Sequence, residues 1–278
     1  MNLALRIISA LVLLPIVLLL SHLGGWYFFA LVLVTTAFAL REYTKIVDPD
    51  DTTAQLGTMV IGLVVTALAL NATSAPQGLV VVQLGAVALA IFFTIRTGVF
   101  ESAWQRLSLH AFGLLYIVAS LVCIFFVRAL GDGLETWQKA SWLYAALLIT
   151  WGNDTAAYFA GRTFGKHKFY EKVSPKKTWE GFFGGVCGAV GGLFLIRLAF
   201  PTVFGHFTTL DLLLMGLPGG VLGPVGDLAE SLLKRNFGVK DSGNTIPGHG
   251  GILDRIDALF FVAPWVLFYG AVLKPLLS

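Results

Sequence analysis

The sequence predicts an all-α, polytopic integral membrane protein with about nine transmembrane helices, and three observations carry that prediction. Hydrophobic residues make up 56% of the 278 and charged residues only 13%. An average soluble domain is roughly 25% charged, so this chain cannot cover a water-facing surface. Its mean hydropathy of +0.80 is spread over the whole length, in apolar runs that approach the ~20 residues needed to cross hydrocarbon. That pattern excludes a soluble domain held by a single anchor. Finally, the charges are clustered around a net charge of only +3, and the clusters matter more than the total.

The apolar runs fall at about 3–20, 26–40, 57–72, 78–95, 111–130, 142–160, 181–199, 210–229 and 256–276. Several are shorter than a full span, which a thin bilayer or burial among other helices accommodates. The first follows Arg6 and mimics a signal peptide. Ser21-His22-Leu23-Gly24-Gly25 offers no small-residue cleavage site, however, so it is expected to be a retained span. Lys and Arg favour the cytoplasmic side of a membrane. With the N-terminus inside, Arg6, Arg41, Lys45, Arg96, Arg106, Arg162, Lys166, Lys168, Lys172, Lys176, Lys177, Lys234, Arg235, Lys240 and Arg255 lie on that side. Only Arg128, Lys139, Arg197 and Lys274 lie opposite.

The chain divides unevenly. Residues 1–140 are nearly pure span, about five helices with short links, whereas 141–278 holds the dense polar content, with cytoplasmic loops at 161–180 and 230–255. Chemistry is expected in the second part. Cys123 and Cys187 sit in apolar runs without a neighbouring thiol, which suggests packing rather than a disulfide or zinc site. There is no repeat and no low-complexity tract.

Three constellations could carry chemistry. In Gly226-Asp227-Leu228-Ala229-Glu230-Ser231-Leu232-Leu233-Lys234-Arg235, one helical face carries Asp227, Glu230, Ser231 and Lys234. The bland reading is a solvated helix end with a local ion pair. Against it, a carboxylate at membrane depth is expensive and suggests function. The preceding Gly219-Gly220 and Gly223-Pro224-Val225-Gly226 suggest close backbone approach or a broken helix. The second constellation runs from Lys240-Asp241-Ser242 to Gly248-His249-Gly250-Gly251, whose N–H groups could face an anion, and then to Asp254-Arg255-Ile256-Asp257. Two acids at a helix start often serve only the dipole, but these would also enter lipid. The third places Asp154 and Tyr158 on one helix face, followed by Ser174-Pro175-Lys176-Lys177-Thr178-Trp179-Glu180-Gly181, with Glu180 able to complete a cap. Its lysines could equally serve topology and anionic lipid head groups. Trp179 reads as an interface anchor rather than a base-stacking platform.

Together these place carboxylates suited to a hard divalent cation beside cations suited to phosphates. The absence of a His/Cys ligand set favours Mg²⁺ over zinc. Phosphates bound through Mg²⁺ and lysine are a common requirement of nucleotide chemistry, and a lipid phosphate would explain the membrane setting.

The run Ser231-x-x-Lys234-Arg235-x4-Lys240-Asp241, followed by Pro247-Gly248-His249-Gly250-Gly251-x-x-Asp254-Arg255-x-Asp257, resembles the signature of phosphatidate cytidylyltransferases, the CDP-diacylglycerol synthases. Asp154-x-x-Ala157-Tyr158 and Ser174-Pro175-Lys176-Lys177-Thr178-x-Glu180-Gly181 match further family segments in the right order. The resemblance covers about 150–260 by motif. It implies conversion of CTP and phosphatidic acid to CDP-diacylglycerol and pyrophosphate, with one Mg²⁺ ion or two. A phosphate monoester has a second pKa of about 6, so its oxyanion is already a nucleophile at neutral pH. No covalent intermediate is required.

On this reading Asp227 and Asp254 are the first candidates for metal ligands, with Asp257, Asp241 and Asp154 behind them. Lys176, Lys177, Lys234, Lys240 and Arg255 would neutralise phosphates. Tyr158, Ser174, Thr178, Glu180, Ser231, Arg235 and the 248–251 loop would contact substrate. The implied partners are CTP, phosphatidic acid and membrane lipid, with no nucleic acid. The implied location is a bacterial inner membrane with the active site toward the cytoplasm, a eukaryotic organelle not being excluded. The glycines of 184–192 permit close helix packing within a subunit or in a homodimer. The rival readings are a CTP-dependent polyprenol-type lipid kinase, a membrane transporter, and a non-catalytic membrane scaffold. The kinase would need a general base and would release CDP. The transporter is disfavoured by charges crowding one face and by the lack of an inverted repeat.

Overall fold

Hydrocarbon offers no hydrogen-bond partner to the backbone, so apolar runs of this length must satisfy their own N–H and C=O groups as helices. The computed structural model describes residues 3–96 and 100–277, apart from the side chains of 3, 4, 6, 7, 100 and 101, so the Arg6 side chain lies outside the described residues. All nine runs are helical. They form α1 (Leu3–Leu23), α2 (Gly25–Val47), α3 (Thr52–Leu70), α4 (Ala75–Arg96), and α5 (Phe100–Gly113), which continues through a π-helical stretch into α6 (Ser120–Ala129). The order then runs α7 (Ser141–Phe164), α8 (Trp179–Ala199), the short α9 (Pro201–Phe204), α10 (Thr209–Asn236), the short α11 (Leu253–Ile256), α12 (Leu259–Phe268) and α13 (Lys274–Leu277). Among the described residues seven helices are long and apolar enough to cross a membrane, with Ile8–Leu23 a shorter apolar helix. The all-α, polytopic reading holds.

Two details differ from expectation. Within the 161–180 loop, β1 (Lys168–Tyr170) and β2 (Ser174–Thr178) form an antiparallel hairpin, with Lys168 opposite Thr178 and Tyr170 opposite Ser174. The later loop begins at residue 237, because α10 stays helical to Asn236.

The chain forms two interleaved units, residues 1–126 with 237–255 and residues 127–236 with 256–278. In the first unit, the turn between α2 and α3 is held by charge. Asp48 accepts from Arg106 at 2.6 and 3.0 Å and meets His110 Nε2 at 3.1 Å. Asp51 caps α3 by accepting from the Ala54 N–H at 2.9 Å. Burial opposes ionisation of Asp51, but hydrogen bonds from Arg96, Ala54 and Arg106 outweigh it and hold the carboxyl well below the usual range. A depressed pKa stabilises above the unfolded value, near 4, and that support is lost as pH falls through the folded one. Val80, Leu84 and Ile91 of α4 are exposed, as befits a face turned to lipid.

In the second unit, α7 and α8 approach closely because Gly184 and Gly188 face Ala160 and Ala156. A Cβ on either glycine would lie within 2.3 Å of the alanine methyl. Gly191 and Gly192 have nothing within that reach. Cys123 is buried and Cys187 exposed.

α10 runs unbroken through Pro218 and Pro224, so its Gly/Pro content does not break it. Each proline lacks an N–H and strands the carbonyl four residues earlier. Both stranded carbonyls are recovered by side chains. Trp265 Nε1 donates to Leu214 O at 2.9 Å, and Asn153 Nδ2 donates to Gly220 O at 2.6 Å. The glycines serve close approach instead: a Cβ on Gly226 would sit 2.6 Å from the Asp257 carbonyl oxygen.

Trp265→Phe deletes one of these donors while keeping the ring. It should destabilise the full chain by about 1–3 kcal/mol, measured as a lower thermal midpoint in detergent. In a Pro218→Ala background, where residue 218 again supplies an N–H, the penalty should shrink. An equal penalty in both backgrounds would contradict this account.

Candidate active site

In the second unit, a cavity of about 430 Å³ is lined by α7, the hairpin, α8 and α10. From α7 come Asp154, Tyr158 and Arg162, spaced four residues apart and therefore on one face. Arg162 Nη1 donates to Tyr158 Oη at 2.9 Å. Hairpin strand β2 delivers Lys176 and Lys177, and Thr178 then caps α8 by accepting from the Gly181 N–H at 3.2 Å. Glu180 meets His167 Nδ1 at 2.6 Å and accepts from its N–H, so Thr178 supplies the side-chain cap bond to Gly181. Lys168 Nζ bonds Pro175 O across the hairpin at 2.8 Å, and Ser174 occupies the first position of β2. Trp179 meets Phe169 and Phe182 edge to face and stacks on Phe183 at the start of α8.

The cavity wall on α10 is Asp227. Lys177 Nζ lies 2.9 Å from Asp227 Oδ2 and 3.3 Å from Pro224 O. Ser231 Oγ donates to Asp227 Oδ1 at 3.2 Å. One turn on, Lys234 Nζ and Glu230 Oε2 are 2.6 Å apart and both residues are buried. Asp257 faces Asp227 and Glu230. Gly226 makes this convergence possible, since any side chain there would strike the Asp257 backbone.

This second-unit cluster holds three acids against two lysines. Among the described residues no three His, Cys, Asp or Glu side chains are placed to hold a metal unaided. Mg²⁺ commonly takes one or two carboxylates and completes its shell with water and substrate phosphates. Asp227, with the carboxylates of Glu230 and Asp257 near it, supplies hard oxygen donors of the kind Mg²⁺ takes, so the residues fit Mg²⁺ bound together with a polyphosphate.

Asp254 falls in the first unit. Its carboxylate accepts from the Gly251 N–H at 2.9 Å and the Ser242 N–H at 3.0 Å. The 248–251 loop does not offer its amides to an anion as expected. His249 and Gly250 donate to Ile246 O at 3.0 and 3.2 Å, and Gly251 donates to Asp254. Gly248 and Gly250, at φ 78° and 92°, supply the left-handed backbone that closes this turn. The His249 ring meets Ser9 Oγ at 2.8 Å. Lys240, Asp241 and Arg255 are exposed in the first unit, and Arg235 is exposed in the second.

Asn153, Arg162 and Glu42 escaped the sequence reading. Asn153 is a neutral residue within a span, and its only signal is Pro224 far downstream. Arg162 was counted for topology alone.

An all-α polytopic membrane protein with cations set against clustered carboxylates is a class that fits a nucleotide-using membrane enzyme. Comparison with known proteins makes the class definite: the Cytidylyltransferase family model matches residues 4–273, and the chain belongs to that family. A phosphatidate cytidylyltransferase of Synechocystis is 34% identical over 299 residues, 98% of each chain. Another from Pseudomonas aeruginosa is 34% identical over 96% of this chain and 98% of its own. One from Bacillus subtilis is 44% identical over 133 residues, so the chain spans about half that relative's length, 46%, in the match.

Lys177→Met and Asp227→Asn should each lower cytidylyltransferase activity about 100-fold. The double variant should lose little beyond the worse single, because a paired cation and carboxylate act as a unit. Fully multiplicative losses in steady-state assays would show that they act separately.

Proposed function

We propose that the chain transfers CMP from CTP to phosphatidic acid, giving CDP-diacylglycerol and pyrophosphate for phospholipid synthesis. The observation that carries this reading is the Lys177 and Asp227 pair, 2.9 Å apart in a cavity that also presents Asp154, Arg162 and Lys176. Full-length relatives named for this activity support it.

The lipid phosphate oxyanion attacks the α-phosphorus of CTP. A new P–O–P bond forms, the bond from the α-phosphorus to the oxygen bridging to the β-phosphorus breaks, and pyrophosphate leaves with the electron pair. No side chain need remove a proton, so the protein's task is positioning and charge neutralisation. Lys176, Lys177 and Arg162 bind phosphate oxygens, and Tyr158 orients Arg162. Asp227, with Asp257 and Glu230 near it, would hold Mg²⁺ in the second unit, and Asp254 is a separate candidate ligand within the first. When bound, Mg²⁺ offsets charge on the triphosphate and makes the α-phosphorus more electrophilic. Lys234 adds a further cation on the same face of α10, and within the first unit Lys240, Asp241 and Arg255 are candidates for substrate contact on this reading. The site faces the cytoplasm of a bacterial inner membrane, which the bias of Lys and Arg supports. Gly191 and Gly192 leave room on α8 for the close approach that a homodimer would use.

Membranes containing the chain, incubated with labelled CTP, phosphatidic acid and Mg²⁺, should move label into lipid with release of pyrophosphate. Chelation should stop the reaction and added Mg²⁺ restore it. Release of CDP, or label that never enters lipid despite intact protein, would overturn the reading.

A further inference from the structure

Glu42 sits on α2 and is 5% exposed. A carboxylate removed from water is costly unless it is hydrogen-bonded, and four donors converge on this one. Thr245 Oγ1 donates to Oε1 in a short bond, and Ser242 Oγ donates to Oε2 at 3.1 Å. The N–H groups of Ile252 and Leu253 donate at 3.0 Å each. All four come from a single segment, 242–253, about two hundred residues downstream and within the same unit.

That segment carries much of the signature. The two amides immediately precede Asp254. Ser242 divides its donors, giving its hydroxyl to Glu42 and its N–H to Asp254. Two carboxylates therefore clamp one loop through a shared residue. The fit is close enough to dictate glycines: a Cβ on Gly251 would lie 2.5 Å from Glu42 Oε2, and one on Gly243 2.8 Å from Glu42 Oε1. The loop also forms one wall of a cavity of about 530 Å³, whose other wall on α2 includes Phe38, Arg41 and Lys45.

We infer that Glu42 is a positioning residue for the reaction: it fixes the 242–253 loop so that Asp254 and Arg255 are presented in one geometry. The inference rests on the cytidylyl transfer proposed above. Glu42 acts through the loop, since among the described residues its side-chain hydrogen bonds go to that segment. Glu42→Gln keeps the size but turns two of the four donors toward an NH₂ group, so the clamp loosens without a cavity.

The test uses the full chain in detergent with CTP, phosphatidic acid and Mg²⁺, normalised to folded protein by thermal unfolding. Glu42→Gln should lower kcat/KM for CTP about 10- to 100-fold, with the larger share in kcat. In parallel, hydrogen exchange of peptides covering 242–253 should accelerate while α7 and α8 peptides stay unchanged. Should Glu42→Gln fail to fold, Ser242→Ala combined with Thr245→Val removes the two hydroxyl donors from the loop side and should give the same signature. Unchanged kinetics per folded molecule, with or without faster exchange, would overturn the positioning role. Unchanged loop exchange in a folded Glu42→Gln would overturn the clamp itself. An inactive parent chain would sink the proposed function instead, and the exchange measurement, which needs no turnover, would still decide whether Glu42 holds the loop.

Discussion

In a protein that lies in hydrocarbon, a backbone carbonyl with no donor has no water to turn to, and α10 has two such carbonyls by virtue of its prolines. Trp265 and Asn153 answer them. Because they do, α10 remains one continuous helix, and Asp227, Glu230, Ser231 and Lys234 stay on one face. The small residues that accompany the prolines let the neighbouring backbone close in, so that Asp257 reaches the same face. The charged cluster is thus a downstream product of how one helix satisfies its hydrogen bonds.

The cluster is arranged as opposed charges at short range. Lys177 stands against Asp227 on the cavity wall, and Lys234 against Glu230 in the interior. A buried pair gains little net stability, because desolvation consumes most of its Coulomb attraction, so its presence is better explained by what it presents than by what it stabilises. Cations fixed before a polyphosphate arrives need no reorganisation at the moment of reaction. Aromatic packing around Trp179 anchors the hairpin that carries Lys177.

The helices were legible because length and apolarity leave a membrane chain few alternatives. The hairpin was not, since its strands are three and five residues long and rich in lysine, below any useful periodicity. Gly223-Pro224-Val225-Gly226 read ambiguously, as close approach or as a break, because the rescuing donors lie on other helices. At the site, acids flanked by apolar residues in 226–257 announced themselves. Glu42 did not: between Arg41 and Tyr43, at the end of a span, it reads as an ordinary boundary charge. The amides of the 248–251 loop looked open to an anion because sequence does not reveal that Ile246 and Asp254 already engage them.

The contact of Gly243 and Gly251 with Glu42 changes what the motif records. A glycine-rich segment invites explanation by the ligand it surrounds, yet here Gly243 leaves room for a carboxylate from far upstream, and Gly251 for that carboxylate together with the Ser242 hydroxyl. Any recombination of a first half and a second half from different relatives would have to match the reach of residue 42 to the emptiness at 243 and 251. The two halves are joined by steric memory as well as by the peptide chain.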